Sequence, residues 1–183
     1  MAQAQDLTLG QRIVAQTILG EARGEGEAGM YGVACVIQER IKSKHWPNDA
    51  KGVCFQKSQF DVWTERKYVK WDDDNRAAVR RHMAQNTKAA QYAKRLAVNL
   101  DTLDRSFVGY ADHYCTNDTH NYWTKGNKPT KVIKNHKFYK LRWSLSHNKR
   151  KRAGRGFHVC LYPPTFFVLM QITLRAYAYH ANI

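Results

Sequence analysis

Between residues 8 and 42 apolar residues recur at helical spacing on two successive stretches, parted by Gly24-Glu25-Gly26. On the first, residues 8–23, Ile13, Val14, Thr17 and Ile18 share one face, and Thr8 followed by Gln11 has the form of a capping box. On the second, residues 28–42, Met30, Val33, Ala34, Ile37 and Ile41 fall at i, i+3, i+4, i+7 and i+11, an amphipathic helix pattern. Gly24 and Gly26 end or bend the chain between the two.

The first apolar face ends in a carboxylate. Glu21 stands seven residues after Val14, so at about 100° per residue it returns to within roughly 20° of that side chain, with Thr17 and Ile18 flanking the line. A carboxylate on an apolar face is partly desolvated, which favours its protonated form. That is the property a proton donor in acid catalysis needs. The competing expectation is a buried glutamate paired with an arginine, Arg23 or Arg40. The neighbouring glycines add weight to the first reading, because they let a polymeric ligand approach the backbone at the helix end.

Beyond the break at 44–49 ("KHWPND"), residues 52–63 fit either a short helix or a loop. "WDDDN" offers a helix start, with one helix expected over about 74–85 and another over 87–98. Residues 106–115 and 131–140 are rich in Val, Ile, Phe and Tyr and read as short strands around a polar loop containing Gly126 and Pro129. After Leu141 comes a basic run, "HNKRKRAGRG", of the kind that is solvated or disordered. An apolar stretch follows, interrupted by His158, Pro163, Pro164 and Gln171 and too broken for a membrane span. We therefore divide the chain into a domain over 1–141 and a tail over 142–183, which either docks on the domain or is a non-native extension.

The chain has 183 residues and 43% hydrophobic content, enough for one compact domain with a real core. Its net charge is +15; residues 142–183 hold seven Lys/Arg and no Asp/Glu, which leaves 23 basic against 15 acidic residues, a net +8, in 1–141. An anionic partner follows: nucleic acid, a membrane surface or a cell-wall polymer. Cys35, Cys54, Cys115 and Cys160 are widely spaced and form no CxxC pair, so free thiols in a reducing compartment are expected. "MAQAQDLTLGQ" has no export signal, so synthesis in the cytoplasm is expected, with action on the wall after release by another route.

The stretch "ILGEARGEGEAGMYGVACVIQERIK" resembles the opening of the SleB-type cell-wall hydrolases, a group that includes spore-cortex-lytic enzymes and phage endolysins. "WPNDAKGVCFQKSQFDVW" is similar to that family's Pro then Gln-Phe-x-x-Trp segment, and "ADHYCTNDTHNYW" and "VIKNHKFYKL" to its His-Tyr and final His-x-Phe-Tyr motifs. Together they cover most of residues 13–141. The chain departs from the pattern at Gln38-Glu39-Arg40, at Asp112 before His113, and at Trp123 after "HNY".

The resemblance implies an α+β, mainly helical, lysozyme-like fold with a small antiparallel β element near residues 106–140. It implies a lytic transglycosylase that cleaves peptidoglycan between N-acetylmuramic acid and N-acetylglucosamine, with Glu21 as catalytic acid and base and with no cofactor. One carboxyl group suffices when the nucleophile is the muramic C6 hydroxyl; ordinary glycosidases use two. Glu25, Glu27, Asp61 and Asp112 are the candidate second acids. Substrate contacts are expected from Gln59, Phe60, His113, Tyr114, Trp123, His136 and Tyr139: Gln59 for an acetamido group, Phe60 as a groove wall, the histidines by hydrogen bonding, and Tyr114, Trp123 and Tyr139 by stacking on sugar rings. Core packing competes for each aromatic residue. The protein is expected to act as a monomer on peptidoglycan and anionic envelope polymers, with no specific nucleic acid and no integral membrane span.

Two functions of other classes remain open on the sequence. His113, His120 and His136, with Asp112 or Cys115, could serve a zinc amidase or peptidase, although their spacings match no compact zinc signature. The basic tail and the aromatics could serve a non-enzymatic nucleic-acid binder with steeply salt-dependent affinity.

Overall fold

The computed structural model describes residues 6–63, 70–119 and 121–141. The tail over 142–183 and His120 lie outside the described residues, and so does any part of the sequence reading that falls on them. Five helices are described, α1 (Leu9–Ala22), α2 (Gly26–Lys42), α3 (Ala50–Cys54), α4 (Lys70–Ala84) and α5 (Lys88–Val98), with three strands, β1 (His113–Thr116), β2 (Lys131–Ile133) and β3 (His136–Tyr139). The architecture is mainly helical with one small antiparallel sheet, as expected.

α1 begins at the capping box read from the sequence. The Thr8 hydroxyl accepts from the Gln11 N–H at 3.2 Å, and the Gln11 side chain accepts from the Thr8 N–H at 2.9 Å. α5 is capped by Thr87, which accepts from the Ala90 N–H. Gly26 opens α2 at φ +72°, a conformation costly for any residue with a Cβ.

α2 is the central element. Its Met30, Val33, Ala34 and Ile37 join Ile13, Val14, Ile18 and Leu19 of α1 and Ala90, Ala93 and Leu96 of α5 in the main core. Its Cys35 and Val36 face the other way, into a smaller core with Val108, Ala111, Ile133 and Phe138. Every residue from Gly32 to Arg40 is buried, so the amphipathic pattern understated the packing: α2 is covered on two sides. Gly32 permits this, because a Cβ there would sit 2.6 Å from the Phe138 ring.

The strands differ from the expectation in one respect. Only the end of 106–115 pairs as a strand; Arg105–Val108 is a 3₁₀ turn. The cause is local. The Asp104 carboxylate accepts from the N–H and the hydroxyl of Ser106, and Gly109 at φ +62° closes the turn on Ser106 O. Residues 131–140 form a hairpin instead of one strand, turning at Lys134 (φ +47°) and Asn135. β3 is the middle strand, pairing His136 with Thr116 and Tyr139 with His113 on one side and Ile133 with His136 on the other. α4 starts at Lys70, four residues before the expected Asp74.

Candidate active site

Glu21 occupies the last turn of α1, one residue before its end. Gly20 beside it has no side chain, and the chain at residues 61–63 uses that space: a Cβ on Gly20 would lie 2.6 Å from Val62 Cβ and Cγ2. The close approach lets the Val62 N–H donate to Glu21 Oε1 at 3.1 Å. The same segment is fixed from two further directions. Trp63 Nε1 donates to Thr17 Oγ1 at 2.8 Å, and Arg76 Nε of α4 donates to Val62 O at 3.0 Å. Buried Asn75 donates to Gly20 O at 3.2 Å and accepts from Arg23, tying α4 to the end of α1.

The other carboxylate oxygen faces the sheet. Tyr114 of β1 donates its hydroxyl to Glu21 Oε2 at 2.8 Å. The Tyr114 ring is held against His136 and Phe138 of β3, with centroids 5.2 and 5.8 Å away. Glu21 is half-buried between these elements. Burial, reinforced by the negative charge of Asp61, raises its carboxyl from 4.5 to about 7, against the opposing pull of the Val62 and Tyr114 hydrogen bonds. The arginines weighed as its partners are turned elsewhere: Arg23 to Leu19 O and Asn75, Arg40 to Asp112 O at 2.8 Å and over the Trp46 ring. A carboxyl group so placed holds a proton near neutrality, can donate it, and can take one back.

Of the candidate second acids, Asp61 is the one whose charge acts on Glu21. Glu25 accepts from the Asn135 N–H at 3.0 Å in the β2–β3 turn, and Glu27 is exposed. Asp112 is buried and hydrogen-bonded to His113 at 2.8 Å.

The structure divides the expected substrate-contact residues. Gln59, His113 and Trp123 stay partly open, with Trp123 against His113 and Tyr139. Tyr114 contacts Glu21 by its hydroxyl, and its ring is packed, which corrects its reading as a stacking platform. Phe60 is 1% exposed and lies in the main core beneath the Arg40 guanidinium, so it is no groove wall. Tyr139 is 5% exposed under Trp123, and His136 is 5% exposed under Tyr114 with its Nδ1 unpartnered. Neither offers a ligand an open face. His136 shares its strand face with Phe138, whose ring lies at Gly32 of α2.

Sequence reasoning missed Trp46, Asn75, Arg76 and the hydroxyl role of Tyr114. Asn75 was visible only as part of a helix start. The other contacts join segments far apart in sequence, for which periodicity carries no signal.

Among the described residues no three His, Cys, Asp or Glu side chains are grouped to hold a metal ion. Cys35, Cys54 and Cys115 are buried and unbridged, and burial pushes the Cys35 thiol to about 12 and the Cys54 thiol to about 11. Among the described residues no helix is long and apolar enough to cross a membrane.

A family model described as Cell Wall Hydrolase matches residues 24–139, well over half of the sequence. The chain belongs to the cell wall hydrolase family. The match begins three residues after Glu21, so the placing of that residue rests on the geometry above. Two curated relatives are spore cortex-lytic enzymes, from Bacillus subtilis (strain 168) and Halalkalibacterium halodurans. Each is 36% identical over 69 residues, 37% of this chain, and the matched stretch covers 23% and 21% of the respective relative. Among solved structures, the catalytic domain of the germination-specific lytic transglycosylase SleB from Bacillus anthracis is 25% identical at a TM-score of 0.49, covering 76% of this chain and all of that one. The catalytic domain of the Bacillus cereus SleB protein is 24% identical, also at a TM-score of 0.49, covering 74% of this chain and 94% of the other.

Proposed function

We propose that this cell wall hydrolase family member cuts peptidoglycan glycan strands between N-acetylmuramic acid and N-acetylglucosamine by lytic transglycosylation, with Glu21 as the acid and base. The observation that carries the reading is the Glu21 carboxyl raised to about 7 by burial while one N–H and one phenol position its two oxygens. Family membership and the spore cortex-lytic relatives support a peptidoglycan substrate.

Protonated Glu21 gives its hydrogen to the glycosidic oxygen as the bond from that oxygen to muramic C1 breaks. The carboxylate left behind takes the hydrogen of the muramic C6 hydroxyl as that oxygen bonds to C1, closing a 1,6-anhydro ring and restoring the acid. The Val62 N–H and the Tyr114 hydroxyl steady the transient carboxylate. The protein's net positive charge favours adhesion to an anionic envelope.

Mass analysis of muropeptides released from purified sacculi tests the proposal. The wild type should release anhydromuramic ends, and Glu21→Gln should lower the rate by at least about 100-fold, because the amide keeps the shape without a transferable proton. Reducing muramic ends in place of anhydro ends would point to water as nucleophile, with Asp61 as the second carboxylate. Undiminished lysis by the variant would remove Glu21 from the mechanism. In a pH series, kcat/KM should fall as pH rises through about 7, where Glu21 loses its proton.

A further inference from the structure

On the face of β1 opposite to Tyr114 stands a second set of polar and aromatic groups that the chemistry above does not use. Asp112, 2% exposed, is fully committed: its Oδ1 meets His113 Nδ1 at 2.8 Å and the Leu141 N–H at 3.1 Å, and its Oδ2 meets Lys140 Nζ at 3.2 Å. A carboxylate beside an ammonium and a backbone N–H is acceptor-only, so the proton in the Asp112–His113 hydrogen bond sits on His113 Nδ1. Burial holds the His113 ring below the usual histidine range, with the Arg40 and Lys140 charges adding to it and Asp112 opposing. The neutral ring therefore carries its lone pair on Nε2. Among the described residues Nε2 has no hydrogen-bond partner, and the side chain is 17% exposed. Two indoles flank the ring, Trp46 with its centroid 5.5 Å away and Trp123 at 5.3 Å, both partly exposed.

A lone acceptor between indole walls selects the chemistry of its guest. A sugar hydroxyl is both donor and acceptor and gains little from apolar walls. An acetamido group offers one N–H donor beside an apolar methyl, which matches this pair of features. We propose that His113, Trp46 and Trp123 form a subsite for the acetamido group of an N-acetylhexosamine, with His113 Nε2 accepting the amide N–H and Asp112 fixing the ring in that role. The inference rests on the reading of the substrate as a peptidoglycan glycan strand. It assigns His113 and the two indoles to specificity, apart from the proton transfer at Glu21. Asp112 is a positioning residue.

Binding measured on the full chain carrying Glu21→Gln, which cannot turn the ligand over, separates the two readings. The probes are N-acetylchitotetraose and cellotetraose, neutral glycans that differ by acetamido against hydroxyl at each ring. The Glu21→Gln protein should bind N-acetylchitotetraose, and adding His113→Ala should weaken that binding by about tenfold, the worth of one hydrogen bond with its flanking contact. Cellotetraose should bind more weakly and lose less than about twofold. Nitrogen-15 shifts of His113 should report the Nδ1–H tautomer in the free protein and a perturbed Nε2 on adding N-acetylchitotetraose. Asp112→Asn should shift that tautomer equilibrium and weaken binding while the fold, read by circular dichroism, persists. If the parent Glu21→Gln protein binds neither glycan, the substrate reading fails. If it binds N-acetylchitotetraose but His113→Ala changes neither affinity nor discrimination, or if Nε2 is protonated in the free protein, the subsite is overturned and the substrate reading stands.

Discussion

At the scale of single residues, the raised Glu21 carboxyl costs the fold stability. Its ordinary value is 4.5 and its folded value about 7, so between those limits the folded chain binds more protons than the unfolded one. Stability contributed by this group therefore falls as pH rises through that window and is flat above it. The full effect is on the order of 3 kcal/mol, reduced by the residual solvent contact of a half-buried group. His113 and His136 are held below the usual histidine range chiefly by burial, and they act in the opposite sense over part of the same window. They are common to wild type and Glu21→Gln, so the difference between the two proteins isolates Glu21. Urea titrations from pH 5 to 8 should show wild type losing stability relative to Glu21→Gln. Tyr114→Phe removes a hydrogen bond that favours the ionised form, so the alkaline limb of the pH–rate profile should move upward. The place of Glu21 on the apolar face of α1 was legible in the sequence, because its angular distance from Val14 depends on local spacing alone; its catalytic role came only from the family resemblance. Its phenol partner was not: Tyr114 is 93 residues away, and no local pattern marks its hydroxyl.

At the scale of elements, the Gly20 contact joins helix to site. Gly20→Ala should destabilise the protein by about 1–3 kcal/mol, the usual range for overpacking. It should also lower the turnover rate, because the segment that yields to the new methyl carries the Val62 N–H. Chemical denaturation and steady-state kinetics read the two effects separately. Elements governed by local rules were legible: α1 with its capping box, α5 within the expected 87–98, and the break after α2. Those shaped by side chains competing for backbone were not. Asp104 turned an apparent strand into a 3₁₀ turn, and two covering layers hid the polar residues Gln38, Glu39 and Arg40 of α2.

At the scale of the whole molecule, the two cores meet on α2, and one polar cluster closes the join. Glu39 takes Arg105 at 2.6 Å and Lys140 at 2.8 Å, linking α2 to the turn before β1 and to the end of β3. Its side chain is 12% exposed, with Arg105 at 26% and Lys140 at 40%, between the limits for surface and buried pairs. Glu39→Ala should therefore cost about 1–3 kcal/mol, checked by thermal unfolding at low and high salt. Tyr114 arrives at Glu21 from the far side of this assembly, which has a consequence for biosynthesis. A polypeptide released or cut before residue 113 contains the glutamate but neither the phenol nor the sheet that shields it. The burial that raises the Glu21 carboxyl is then incomplete. The proton donor is thus assembled from both ends of the described domain, and it is complete only once β1 and β3 have joined the end of α1.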